Sequence, residues 1–366
     1  MILKKLKLVN FRNYKNIILS FDYGIHFIVG NNGQGKTNLL ESIYYLSCTK
    51  SHRLKQDKDL IYIGDEFFNV EGIIEKNKKE INIKCYVKEF GKNLFLYRNP
   101  VMKVSDFIGF FNAVMFCPDD MNMFNSSPKN RRKFIDLELG KLSKKYTKTL
   151  HSYYKLLKER NGYLKQAKIE EIYLDTLEDQ MIDLQIIIMK QRYKFLNDIL
   201  LKSKYFYEQL TNDKSMIRYE YISDVLCVDK EIDIKILLKE KYKKNRKKDI
   251  VFKQTTIGIH KDDFIFYIND KEVYKYASQG QKRSLLLSLK LGIVYIIYDI
   301  LKEYPVLILD DVFSELDDYR RKRLLSLLPE NIQIFISSTD VIKIESNKKI
   351  KYWVVDQGMC KMMRRN

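Results

Sequence analysis

Gly30-Asn31-Asn32-Gly33-Gln34-Gly35-Lys36-Thr37 is the stretch whose residue types and spacing most directly imply chemistry. It fits G-x-x-x-x-G-K-[ST]. Glycines let such a backbone wrap tightly, so that its N–H groups face inward onto phosphate oxygens. Gly30, Asn31, Asn32, Gly33, Gln34 and Gly35 would form the cradle. Lys36 would neutralise the β- and γ-phosphates, and the Thr37 hydroxyl would hold Mg²⁺. The expected ligand is a nucleoside triphosphate, ATP first, with magnesium.

A second element is Val306-Leu307-Ile308-Leu309-Asp310-Asp311. An apolar strand ending in acid delivers a carboxylate to the sheet edge where ligands sit in α/β folds. Asp310 is the expected magnesium ligand, acting through water, and Asp311 could orient or deprotonate the attacking water. A third is Ala277-Ser278-Gln279-Gly280-Gln281. Ser278 and Gln281 have the spacing of a capping box, and the helix end they cap is also an anion site.

These groups need elements to hold them. Leu6–Val9, Ile17–Phe21 and Ile25–Val29 read as strands, and Leu39, Ile43 and Leu46 follow the loop at helical spacing. Strand, loop and helix thus come in the order a nucleotide fold requires. Phe67–Ile74, Ile81–Val87 and Leu94–Tyr97 read as antiparallel strands, with turns at Asn77-Lys78 and Gly91-Lys92. From Ile135 to Leu157 an apolar stripe predicts one long helix, starting after Pro128 and ending near Asn161-Gly162. A second stripe from Leu174 to Ile188 predicts its partner in a short helical hairpin. Strand-like text returns at Val251 and Phe264–Ile268, a helix at Gln279–Lys302, strands at Val306–Leu309 and Ile332–Ser337, and an edge strand at Tyr352–Val355. The expectation is an α/β head of residues 1–125 and 250–366, with a mixed sheet around the phosphate loop. A mainly helical lobe, 126–249, is inserted into it.

The formal charge of +19 over 366 residues suggests a polyanionic partner, although a lysine-rich codon bias would also raise it. Segregation of charge argues for the partner. Lys129 to Lys165 holds 12 Lys and Arg against 3 acids, and Glu170 to Asp183 holds six acids and no base. Lys239 to Lys248 holds 7 bases against 1 acid. A basic helical face tracks DNA phosphates without reading bases, and Lys144, Lys145 and Lys148 are its candidates. The five cysteines are scattered without a CxxC pair, which fits a reducing cytosol. No N-terminal leader is evident, and apolar runs such as Ile293–Tyr298 read as too short to cross a bilayer.

The order of these motifs resembles the ABC ATPases, and within them the RecF family of bacterial DNA repair. The resembling stretches are Asn10–Tyr14, Gly30–Glu41, Ser51–Arg53, Phe116–Asp120, Arg131–Asp136, Gly258–Asp263, Ala277–Arg283 and Leu309–Asp317. The resemblance implies an ABC-type head that binds ATP with Arg12 among its contacts. Ser278 and Gly280 would meet the γ-phosphate held by a second copy, and Ser314 to Asp317 would form the D-loop at that interface. It implies an ATP-dependent homodimer that clamps double-stranded and gapped DNA. Such a dimer would work with RecO and RecR, help to load RecA in the cytoplasm at the nucleoid during the SOS response, and reset by slow hydrolysis. Two departures stand out. Asp311 replaces the usual Glu, in keeping with weak hydrolysis, and Ser337-Ser338-Thr339 stands where a switch histidine is common. A transporter motor subunit shares the motifs, but the basic helical insertion argues against it. An SMC-type chromosome protein would need a far longer coiled coil.

Overall fold

The computed structural model describes residues 1–125, 127–225, 231–313, 315–342 and 347–363. The chain begins with β1 (Ile2–Phe11), β2 (Tyr14–Ser20), β3 (Ile25–Val29) and α1 (Lys36–Cys48). Then come β4 (Phe67–Lys76), β5 (Lys79–Lys88), β6 (Gly91–Leu96), β7 (Asn99–Val101) and β8 (Ala113–Phe116). The middle holds α2 (Pro128–Leu142), α3 (Lys144–Tyr163), α4 (Glu171–Thr211), β9 (Ile217–Ile222) and α5 (Glu231–Phe252). It closes with β10 (Asp263–Ile268) and β11 (Lys271–Glu272). The last part is α6 (Gln279–Leu301), β12 (Val306–Leu309), α7 (Asp318–Leu327), β13 (Ile334–Ser338), β14 (Ile350–Asp356) and β15 (Met359–Met362).

The chain forms two compact units. One comprises residues 1–121, 202–214 and 283–366, the other 122–201 and 215–282. Both ends of the sequence fall in one unit, and the unit bounds differ from the expected boundaries at 126 and 250. Residues 250–282 group with the helical unit, because β10 pairs along its length with β9.

The α/β unit has two six-stranded sheets, ordered β2-β1-β4-β5-β6-β7 and β15-β14-β3-β13-β12-β8. The first is antiparallel throughout. In the second, β14, β3, β13, β12 and β8 run parallel; β12 and β13 are wholly buried, β12 apolar throughout and β13 apolar up to Ser337-Ser338. Helix α1 packs against strands of both sheets, which leaves most of it buried. The strand that delivers the phosphate loop, β3, lies at the centre between β14 and β13.

Several local expectations need correction. The stripe after Pro128 is two helices, because Ser143 leaves helical geometry (φ −137, ψ 104) and its side chain accepts from Tyr146 N–H as a cap. The second stripe continues to Thr211, giving a helix of 41 residues. α3 and α4 do form the expected antiparallel hairpin: Arg160 reaches Glu178 and Tyr163 stacks edge-on against Tyr173. Val251 lies in the last turn of helix α5 rather than starting a strand. β14 is flanked by β15, so it is not an edge. The second hairpin turns at Glu89-Phe90, ahead of Gly91. Helix α6 is long and apolar enough to cross a membrane, contrary to expectation, but 72% of its apolar window is buried in the fold. An all-round apolar helix of that kind is a core helix.

Candidate nucleotide-binding site

The loop between β3 and α1 is shaped by close approaches that only glycine permits. A Cβ on Gly30 would lie 2.3 Å from the Val355 carbonyl oxygen of β14. Gly35 has φ +115, and a Cβ there would strike the Asn13 side chain at 2.4 Å. Asn13 holds the loop from behind, donating to the Gln34 carbonyl at 2.9 Å and accepting from Asn38. Tyr14 donates to the Gly35 carbonyl at 2.9 Å. The turn joining β14 and β15 braces the other side, with Gln357 N–H donating to Gln34 Oε1 at 2.7 Å.

Lys36, the first residue of α1, is buried, and its ammonium donates to the carbonyls of Gly30 at 2.7 Å and Asn31 at 3.0 Å. Asn32 Oδ1 lies 3.5 Å away. The ammonium thus bonds within the cradle it is expected to serve, and no atom lies within 4 Å of a Cβ built on Gly33.

Asp310 follows β12, and its carboxylate accepts from Thr37 Oγ1 at 3.1 Å and from Ser337 Oγ at 2.8 Å. Burial pushes its carboxyl up to about 6, with the neighbouring Asp311 adding to the rise and the two hydroxyls opposing it. A buried carboxylate beside a hydroxyl is a hard oxygen pair suited to Mg²⁺, and a cation there would offset the carboxylate's desolvation. The residues present therefore fit a magnesium nucleotide. Asp311 is half-buried and takes a left-handed backbone, φ 53.

Arg12 is also left-handed, φ 55, and its guanidinium makes a fork onto the buried Glu41 of α1 at 2.9 and 3.2 Å. Ser51 donates to the same carboxylate. In the other unit, Ser278 and Gln281 form the expected reciprocal cap. Ser278 N–H donates to Gln281 Oε1 at 2.9 Å, and Gln281 N–H to Ser278 Oγ at 3.2 Å. Ser278 is exposed, and Gly280 stands in open space, with only Ser278 Oγ near its would-be Cβ. Of the D-loop stretch, Ser314 lies outside the described residues, Glu315 pairs with Arg283 at 3.2 Å, and Asp317 caps α7. Among the cysteines, Cys227 also lies outside the described residues, and Cys48, Cys85, Cys117 and Cys360 form no disulfide among the described residues.

Several cations of the basic stretches are held in ion pairs. On α5, Lys235, Lys239 and Arg246 pair with Asp183, Asp179 and Asp175 of α4. The acidic run thus has its counter-charges within its own unit. Arg131 forks onto Asp263, and Arg160 is buried between Glu178 and Asp249. Arg192 links Asp136, Asp262 and the Ile259 carbonyl. The Arg131–Asp136 and Gly258–Asp263 stretches therefore serve each other. Lys144, Lys145 and Lys148 on α3 are exposed, as are Lys155 and Lys158. Lys144, Lys148, Lys155 and Lys158 recur at steps that keep them on one helical face.

Sequence reasoning missed Asn13, Tyr14, Glu41 and Ser337 as parts of the site. Asn13, Tyr14 and Glu41 lie in resembling stretches, which was a signal; Ser337 was marked only as part of the stretch that stands where a switch histidine is common.

The family model RecF/RecN/SMC N terminal domain matches residues 2–361. The DNA replication and repair protein RecF of Streptococcus gordonii is 38% identical over 361 residues, covering 98% of this chain and 99% of that protein. The protein of the same name from Lactobacillus johnsonii is 35% identical, covering 98% of each. Among solved structures, the recombination mediator protein RecF with ATP, described in the RecFOR pathway, aligns with a TM-score of 0.92 at 32% identity. It covers 99% of this chain and 97% of its own. An Smc head bound to ScpA aligns at a TM-score of 0.55 and 17% identity, a likeness of fold alone.

Proposed function

This chain belongs to the RecF family, and from that premise we propose that it is an ATP-operated switch that closes on DNA in replication and recombinational repair. The observation that carries the reading is the bond from Thr37 to Asp310, which joins the phosphate loop to the acidic strand. In this reading Gly30 to Gly35 cradle the phosphates, and Lys36 leaves the loop carbonyls for phosphate oxygens. Thr37 and Asp310 hold Mg²⁺, which when bound offsets charge on the phosphates. Asp311 orients the attacking water. Arg12 stays with Glu41 and stiffens the junction of β1 and α1, and its expected contact with ATP is kept as a secondary role.

The γ-phosphate is then completed by Ser278 and Gly280 of a second copy. The exposed start of α6 supports this, since the first turn of a helix holds N–H groups beyond those its cap takes and attracts an anion. The exposed lysine face of α3, with Lys144, Lys145 and Lys148, is the proposed DNA surface. Turnover is slow, in keeping with the short Asp311 side chain. RecO and RecR are the proposed partners, supported by the RecFOR description of the aligned structure, and RecA loading at gaps in the cytoplasm is the proposed outcome.

Sizing with and without Mg·ATP, and duplex and gapped-DNA binding at two salt concentrations, test this. ATP should produce a dimer and tighten DNA binding. A protein that stays monomeric with ATP and binds DNA equally without it would overturn the reading.

A further inference from the structure

Sheet register sets a hydroxyl between two carboxylates. β12 and β13 run parallel with Leu309 opposite Ile336. The next positions, Asp310 and Ser337, therefore stand side by side on one face. Ser337 is fully buried. Its Oγ donates to Asp310 Oδ1 at 2.8 Å and lies 3.3 Å from Asp311 Oδ1. It also accepts from the Asp311 backbone N–H at 2.7 Å. That amide belongs to a residue with φ 53, a region that non-glycine residues occupy only when their surroundings hold them there.

We propose that Ser337 is a positioning residue for Asp311: its hydroxyl clamps the Asp311 backbone in the left-handed conformation and serves both acids as a shared donor. This rests on the reading of Asp310 and Asp311 as ATPase residues. A hydroxyl has one proton and two lone pairs. One lone pair takes the Asp311 N–H. The single proton serves one carboxylate at a time, and the shorter distance gives it to Asp310. Rotation about the Cβ–Oγ bond brings the same proton to Asp311. Two neighbouring carboxyl groups are thereby held at close quarters by one group that touches both. Alanine removes the clamp and the donor. Valine keeps a branched, strand-compatible shape without the hydroxyl, and threonine keeps shape and hydroxyl together.

The test compares wild type with Ser337→Ala, Ser337→Val and Ser337→Thr in ATP turnover, ATP affinity and ATP-driven dimerisation, with a crystal structure of Ser337→Ala. Alanine and valine should lower kcat roughly 10- to 100-fold, the usual effect of losing a group that orients a reacting side chain. KM and dimerisation should hold within about threefold, since Lys36 and the loop that would hold the phosphates do not bond to the Ser337 hydroxyl and Thr37 still reaches Asp310. Threonine should restore turnover. In the Ser337→Ala crystal, Asp311 should leave the left-handed region. Valine turning over like threonine, or Asp311 unmoved in the alanine variant, would overturn the proposal. A wild type that neither dimerises nor hydrolyses ends the ATPase reading instead, and the Asp311 geometry still decides the role of Ser337.

Discussion

Thr37 Oγ1 donates to Asp310 Oδ1 over 3.1 Å, closing a separation of 273 positions along the chain. Thr37 lies in the first turn of α1, and Asp310 directly follows β12, two places from β3 in the sheet. Neither is informative alone. Together they define where a divalent cation and a triphosphate would lie.

Lys36→Ala should weaken ATP by roughly 100-fold or more, about 3 kcal/mol, because a charged donor to phosphate is lost. Dimerisation by ATP should go with it. Fluorescent-nucleotide titration and sizing check both, and a variant that still dimerises on ATP contradicts the assignment. Folding should be little affected, since the partners of Lys36 here are loop carbonyls that water can also satisfy.

Asp311→Asn should leave ATP affinity near wild type while lowering turnover roughly 100-fold, the low end for loss of a general base. The dimer should then persist on DNA, visible as a slower off-rate. Normal turnover would move the water-orienting role to another group.

Replacing Lys144 and Lys148 of α3 by Ala should weaken duplex binding. It should also flatten the salt dependence by roughly one unit of slope for each phosphate no longer neutralised. Lys239→Ala is the control. Its ammonium is paired with Asp179 at 2.7 Å, so the slope should not change. Equal effects at both sites would argue against a face specific to α3.

Acid should destabilise the protein through His26 and His260. Burial holds each down to about 4 in the folded chain. His26 accepts from Trp353 Nε1–H at 3.1 Å and meets the Asp22 carbonyl with its other nitrogen, which fixes it neutral. His260 lies between the Tyr153 hydroxyl and the Thr255 carbonyl. Between pH 6.5 and 4 the unfolded chain binds protons that the folded one refuses, so their contribution is full above 6.5 and is lost as pH falls. Each histidine is worth up to roughly 3 kcal/mol over that window. Asp310, held up to about 6, acts in the opposite sense as pH falls. The difference in urea midpoint between wild type and His260→Gln isolates the histidine and should narrow as pH falls. A constant difference would contradict the assignment.

What the residues alone revealed was whatever is local. The phosphate loop is eight consecutive positions, and the Ser278–Gln281 cap needs only a spacing of three. Ser143 escaped because Leu139, Leu142 and Tyr146 keep helical register across it, while its cap shows only in φ and ψ. Helix α5 escaped because Ile234, Leu238 and Tyr242, all buried, are spaced among many lysines. The Lys239–Lys248 run has the look of a partner surface in sequence, yet the acids of α4 lie beside it in the fold. Ser337 was beyond reach for a different reason. Its partners are set by which strand lies next to which, and no window of sequence contains that.

The central place of β3 has a bearing on how the protein is made. Both strands that flank it, β13 and β14, are encoded more than 300 residues after it. During synthesis the phosphate loop therefore emerges with no sheet around it, and it waits for nearly the whole chain to be translated. Contacts this distant in sequence form slowly. A product that ends before residue 350 would carry the full glycine motif without β14, the strand whose Val355 carbonyl lies against Gly30.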